Sequence, residues 1–226
     1  MSDVDSTRGE ASGTEALYPF LSPAHTDVGG VLNLTDLVLS GPPDLVMALR
    51  EQVRLRDGRK LVECAEAMAE RFRAGARLFA FGNGGSSTDA QDLASLFLHP
   101  GPGWRALPAF GLTSDIAVVT ALSNDVGFDV VFARQIGAFG RPQDIAVGLS
   151  TSGNSANLLR AFDEAARRGM LTVGIAGDRG GKMAESAGIH HLFVVPSASV
   201  HRIQEAQTTL YHALWELTAT ALGPAD

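Results

Sequence analysis

Two short segments of this chain carry residue types suited to holding an anion. The first is Gly82-Asn83-Gly84-Gly85-Ser86-Ser87, between a short apolar run and an amphipathic segment. Its three glycines admit backbone conformations closed to other residues and let a ligand approach the amides, and a helix starting there offers unpaired N–H groups and a positive dipole end. A tight strand-to-helix turn capped by Ser86 accounts for this loop equally well. The second segment is Ser150-Thr151-Ser152-Gly153-Asn154-Ser155. Four hydroxyl side chains within six residues can donate several hydrogen bonds to phosphate oxygens, whereas a helix cap needs only one. Common nucleotide motifs are absent: serine stands where a dinucleotide fingerprint wants its last glycine, and Gly181-Lys182-Met183 is no Walker A loop. Two phosphate-sized loops without a nucleotide signature point to a small phosphorylated metabolite held by neutral hydroxyls and amides.

Acid–base chemistry is offered nearer the C-terminus. Gln204 and His212 are eight residues apart, about 80° around a helix, so both can face one cleft. An imidazole near neutrality can take and return a proton. Taken alone, though, a single histidine more often satisfies a core or an interface. The only cysteine, Cys64, excludes an internal disulfide and a Cys-based zinc cluster, and its place in an apolar helical pattern reads as a small core residue.

The elements that must position these residues follow from hydrophobic spacing. Apolar residues recur at helical intervals through Leu45, Leu49, Val53, Leu61, Cys64, Met68 and Phe72, predicting one long helix, or two joined near Asp57-Gly58, that ends at Gly75. Beyond it, short apolar runs at 78–81, 107–112, 145–149, 171–175 and 192–195 alternate with helical segments at 86–98, within 114–139, at 155–168, near 181–186 and at 200–222. Such alternation predicts parallel strands joined by right-handed crossovers. The expected fold is a three-layer α/β/α sandwich of about five parallel strands with N-terminal helices. In such sheets ligands bind beyond the carboxyl ends of the strands, where both anion loops fall.

Residues 1–28, rich in Ser, Gly, Thr, Asp and Glu, read as a flexible arm with one apolar cluster, Leu17-Tyr18-Pro19-Phe20-Leu21, and residues 29–226 as the domain. A net charge of -7 argues against a surface that coats nucleic acid. No run approaches the roughly 20 apolar residues of a membrane span, and the N-terminus lacks a basic segment followed by an apolar one, so a cytoplasmic protein is expected. Trp104 and Trp215 read as core residues or as anchors of an oligomer interface, Arg56-Asp57-Gly58-Arg59-Lys60 as a solvated face or helix junction, and residues 99–104 as a loop over the site entrance or, equally, one ordered against a neighbouring subunit.

Four ordered motifs, Gly82-Asn83-Gly84-Gly85-Ser86, Asn124-Asp125, Ser150-Thr151-Ser152-Gly153-Asn154-Ser155 and Arg202-Ile203-Gln204-Glu205 followed by His212, resemble the SIS (sugar isomerase) domain over roughly residues 44–222. More narrowly they resemble the bacterial phosphoheptose isomerases, which convert sedoheptulose 7-phosphate to D-glycero-D-manno-heptose 7-phosphate. The resemblance implies a flavodoxin-like fold and a homotetramer whose sites use residues from neighbouring subunits. It also implies that Asn83, Gly84, Gly85 and Ser86 line the sugar, that Asn124 and Asp125 approach it, and that Ser150, Thr151, Ser152 and Ser155 take the phosphate. Gln204 and His212 would complete the site.

The chain departs from the family on the helix after the glycine loop. There the family carries a histidine and, four residues later, a glutamate, as metal ligands, with the glutamate also implicated as the base; here the two positions hold Asp92 and Leu96. His201 stands where an acidic residue is expected. Asp92 is a substitute base or ligand, or equally an exposed first-turn carboxylate. His99, one turn beyond Leu96, reads first as a helix-ending residue before Pro100, and Glu205 diverges from Gln204 by about 100°. Asp92, Gln204 and His212 would give at most three donors, one a weak amide, so no tightly bound zinc is expected. Two functions follow: an aldose–ketose isomerase using His212 with Asp92 or His99 as its partner, and Gln204, or a non-catalytic phosphosugar-sensing or partner-binding tetramer like the relative that associates with the bacterial replication initiator.

Overall fold

The computed structural model describes residues 42–224; the expected arm at 1–28 and its apolar cluster lie outside them. The elements in chain order are α1 (Pro42–Arg73), β1 (Leu78–Gly82), α2 (Gly85–Leu98), β2 (Ala109–Gly111), α3 (Ile116–Asp125), a 3₁₀ turn (Phe128–Val130), α4 (Val131–Phe139), β3 (Ile145–Ser150), α5 (Ala156–Arg167), β4 (Leu171–Gly177), a second 3₁₀ turn (Gly181–Glu185), β5 (His191–Val195) and α6 (Val200–Leu222). All strand pairings are parallel, in the order β2-β1-β3-β4-β5.

Alternation of side chains along each strand divides the interior into two layers. Leu78 and Ala80, with Ile145, Val147 and Leu149, face a larger core shared with Met68 and Phe72 of α1, Leu93 and Phe97 of α2, and Leu210 and Leu214 of α6. Phe79, Phe81 and Ala146 face the opposite core, against Phe132 and Ile136 of α4 and Leu158 and Phe162 of α5. The three-layer α/β/α expectation is met. Cys64 is fully buried in the larger core, and burial pushes its thiol up to about 12.

One alternative in the spacing argument is decided, and two details depart from it. The helix before the sheet is single and runs through Gly58 without a break. Its charged run is not simply solvated: Arg56 and Lys60 donate to Val194 O and Leu192 O, backbone acceptors of the edge strand β5. Cations laid along an exposed strand are one way to block edge-to-edge pairing. The edge strand β2 is three residues long rather than six, since parallel pairing with β1 extends only over Ala109, Phe110 and Gly111. Among the described residues, no helix is long and apolar enough to cross a membrane.

The chain runs from β1 outward to β2 and then returns to β3 on the other side of β1. Connections therefore diverge between β1 and β3, and that topological switch point opens a crevice at the carboxyl end of the sheet. At the opposite end Asp144 is fully buried and accepts hydrogen bonds from the Arg77 backbone and guanidinium and from the Arg141 amide, fastening the start of β3.

Candidate active site

The two anion loops are the ones that leave β1 and β3, so they meet at the switch point. Asn83 and Asn157 join them by a reciprocal amide pair, each Nδ2 donating to the other's Oδ1 at 2.9 Å. Asn157 is 3% exposed and its Oδ1 also accepts from the Leu158 amide. The Asn83 side chain, expected to line the sugar, thus also ties the two loops, through a partner that sequence reasoning missed.

Within the first loop, Gly84 is the N-cap of α2 and supplies no side-chain cap. The turn closes through Ser86 N to Asn83 O and Ser87 N to Gly84 O. Ser86 is buried and does not cap the helix as a simple turn would require. A Cβ on Gly85 would lie 2.2 Å from Gln204 Nε2, so glycine there is what lets the α6 side chain reach the loop. Ser87 Oγ donates to Thr113 Oγ1 at 2.7 Å.

The second loop is tied mostly by backbone amides donating to its own side-chain oxygens. Ser150, buried, accepts from Gly153 N at 3.0 Å, and Ser152 Oγ accepts from Asn154 N. Gly153 has φ +67°, and a Cβ there would lie 2.0 Å from Gly180 O, so no other residue fits. Gly153 O and Asn154 Oδ1 accept from the amides of Met183 and Lys182, bracing the loop on the following 3₁₀ turn. Ser155 is the N-cap of α5 yet makes no capping hydrogen bond. The hydroxyls of Thr151 and Ser155 therefore remain available to a ligand at the start of a helix, where backbone N–H groups favour an anion.

Helix α6 closes this end of the sheet from above. Gln207, fully buried, donates from Nε2 to Ser150 O at 3.2 Å and Ile175 O at 3.3 Å, and its Oε1 has no partner among the described residues. Gln204 Nε2 lies 3.4 Å from Asp89 Oδ2. His212 Nε2 lies 3.7 Å from Asp92 Oδ2, and the two side chains are 43% and 52% exposed. The inferred face containing Gln204 and His212 is thus present, and it opposes an α2 face on which Asp89 and Asp92 stand three residues apart. Burial, with the nearby Asp92 charge adding, holds the Asp89 carboxyl above the usual carboxylate range, against the lowering effect of Gln204.

Among the described residues, the side chains of the remaining candidates make no hydrogen bond to either loop or to the α2–α6 cleft. Asn124 and Asp125 end α3, exposed, with Asn124 Nδ2 donating to Asp125 Oδ1 at 2.8 Å. His99 is the exposed C-cap of α2, its amide bonded to Ser95 O, the helix-ending role read first from the sequence. Leu96 is half-buried and packs against the larger core, and Glu205 and His201 are exposed. Asp92, Gln204 and His212 present one carboxylate, one amide and one imidazole, with hydrocarbon at the fourth position. That donor set does not fit a zinc site, and among the described residues no group of three or more His, Cys, Asp or Glu converges to hold a metal. Asp89, Asn157, Gln207 and Tyr211 were not found from sequence. Only Asp89 carried a signal, its spacing from Asp92 on one helix face.

The SIS domain family model matches residues 44–177 of this chain. The phosphoheptose isomerase of Aquifex aeolicus (strain VF5) is 43% identical over 159 residues, spanning 70% of this chain and 82% of the relative. That of Desulfovibrio desulfuricans is 45% identical over 171 residues, 75% of this chain and 80% of the relative. Among solved structures, the phosphoheptose isomerase of Neisseria gonorrhoeae superposes with a TM-score of 0.75 at 34% identity, over 83% of this chain and 99% of that one. The enzyme from Francisella tularensis gives 0.72 at 28% identity, over 84% and 98%.

Proposed function

The chain belongs to the SIS domain family, among the phosphoheptose isomerases, and from that premise we propose that it interconverts sedoheptulose 7-phosphate and the corresponding aldose phosphate. The sugar-phosphate isomerase reading is the one its relatives support, and they favour it over a non-catalytic sensor or partner-binding protein. The observation that carries it here is that hydroxyls without internal partners follow β3, while α6, which meets both loops through Gln204 and Gln207, carries an imidazole facing a carboxylate.

In this reading the hydroxyls of Ser150, Thr151, Ser152 and Ser155 and the first-turn amides of α5 hold the phosphate. Asn83, Gly84, Gly85 and Ser86 line the sugar chain, and Asn124 and Asp125 approach it. Isomerisation moves one proton between adjacent carbons and one between their oxygens. His212 takes a proton from C1 of the ketose, leaving an enediol in which C1 and C2 share a double bond, and the same proton is returned to C2. The C1 hydroxyl gives up its proton as that carbon becomes the aldehyde, while the C2 oxygen gains one, so atoms and electrons balance within the sugar. Asp92 holds the imidazole, and Gln204 donates to a sugar oxygen. This scheme uses no tightly bound zinc.

We assign the protein to the cytoplasm, where a sugar phosphate and a single unpaired cysteine are at home, and expect neither nucleic acid nor membrane as a partner. A homotetramer is supported by α3, none of whose ten residues is buried within one chain. Ile116, Phe110, Phe128 and Phe139 are all close to half exposed or more, an apolar surface that a second copy would cover.

The test is turnover of sedoheptulose 7-phosphate by purified protein, with and without added zinc, beside thermal-shift binding of the same sugar. We expect turnover by the native chain without added zinc and a loss of about 10²–10⁴-fold in kcat for His212→Ala with binding retained. Binding without turnover by the native protein would overturn the isomerase reading for this substrate.

A further inference from the structure

Tyr211 precedes His212 on α6 and is 2% exposed, its ring part of the larger core. Its hydroxyl donates to Asp92 Oδ2 at 2.7 Å. That oxygen is also the one 3.7 Å from His212 Nε2, and the Tyr211 ring stacks on the imidazole at 5.2 Å between centroids, 28° from parallel. One carboxylate oxygen is therefore gripped from the interior by a phenol and faces an exposed imidazole on its outer side.

We propose that Tyr211 is the positioning residue of this cleft: its hydroxyl fixes the Asp92 carboxylate and its ring backs the imidazole, so that Asp92 and His212 work as one acid–base unit in place of the family's histidine and glutamate. The proposal rests on the isomerase reading. An aspartate on an exposed helix face has several rotamers open to it, and a buried phenol without an acceptor is unfavourable. Their hydrogen bond removes both difficulties. Burial, reinforced by the Asp92 charge and offset in part by Thr208, raises the Tyr211 ionisation well above its ordinary range. The hydroxyl consequently stays a donor and takes no proton from the cleft. A short side chain on α2 is thus met by a long one from α6.

The decisive comparison is a cycle of Tyr211→Phe, Asp92→Ala and the double variant, with kcat and KM measured separately and the His212 ring nitrogens followed by NMR without substrate. Tyr211→Phe keeps the ring and removes one oxygen. We expect kcat to fall about tenfold or more with KM nearly unchanged, and no further loss from Tyr211→Phe in the Asp92→Ala background. The His212 Nε2 resonance should move in the same direction in both single variants. Native kcat and an unmoved Nε2 resonance in Tyr211→Phe, or losses that simply add, would overturn the proposal. If the native chain turns over no sugar phosphate, the isomerase reading fails, and the Nε2 resonance still decides whether Tyr211 sets the cleft. Should Tyr211→Phe not fold, the ring Cζ resonance of Tyr211, one of only two tyrosines, must shift in Asp92→Ala; an unshifted signal refutes the tie.

Discussion

The edge formed by the two anion loops and the α2–α6 cleft beside it are held in different ways. At the edge, position is set by backbone amides and short polar side chains: Gly153 N to Ser150 Oγ, Met183 N to Gly153 O, Lys182 N to Asn154 Oδ1, and the asparagine pair across the switch point. In the cleft, position is set by long side chains reaching between helices, Tyr211 and His212 toward Asp92 and Gln204 toward Asp89. Geometry held at such short range depends on glycines and small polar residues that few substitutions satisfy, whereas geometry held by long side chains can be rebuilt by exchanging partners. Two of the four familiar motifs make up the edge, whereas the departures, Asp92 and Leu96, are both on α2, with Asp92 facing the cleft.

If the edge is the phosphate site, its loss should be the largest effect short of removing the imidazole. Ser152→Ala combined with Ser155→Ala deletes two hydroxyls while sparing buried Ser150. A hydrogen bond to a charged group contributes about 1.5–3 kcal/mol, so affinity for sugar phosphate should fall by about 10²-fold or more, measured by titration calorimetry. Unchanged affinity would mean that the phosphate sits elsewhere, and the contrast between the two regions would lose its basis.

Asn157→Ala should have a smaller effect spread over both loops. It removes the tie to Asn83 and leaves a half-buried amide short of a partner, at about 1–3 kcal/mol of stability. Denaturant unfolding should show that loss, and sugar-phosphate binding should weaken as the two loops cease to move together. A stable variant with native binding would show that the loops are placed independently.

How much of this was legible in the sequence follows the same division. Strand order could not be read from it, but the five runs, their parallel sense and the place of both anion loops could, because apolar period and turn chemistry are local. Glycines and clustered hydroxyls stand out by composition, and so both loops are legible. Tyr211 and Asp92 are 119 residues apart in sequence, and Asn83 and Asn157 are 74 apart. No spacing rule links such pairs; they meet only because α2 and α6 pack over one sheet face, and β1 and β3 are neighbours. The grip of Arg56 and Lys60 on β5 escaped for the same reason, since a charged run shows its own helix but not the strand it covers.

Leu96 gives the smallest expected effect and the sharpest comparison. It stands where the resembling enzymes carry a glutamate, and in this chain its half-buried side chain packs on the larger core. If the cleft has been rebuilt around Asp92 and His212, the residue at 96 contributes hydrocarbon packing alone. Leu96→Ala should then lower stability by about 1–2 kcal/mol, less than a fully buried leucine because part of the side chain already meets water. In a chain of this size that corresponds to a melting temperature lower by about 2–8 °C, while kcat for the sugar phosphate stays at its native value. A large fall in kcat without a matching loss of stability would mean that the position still shapes the reaction, and that the cleft retains more of the ancestral arrangement than its side chains suggest.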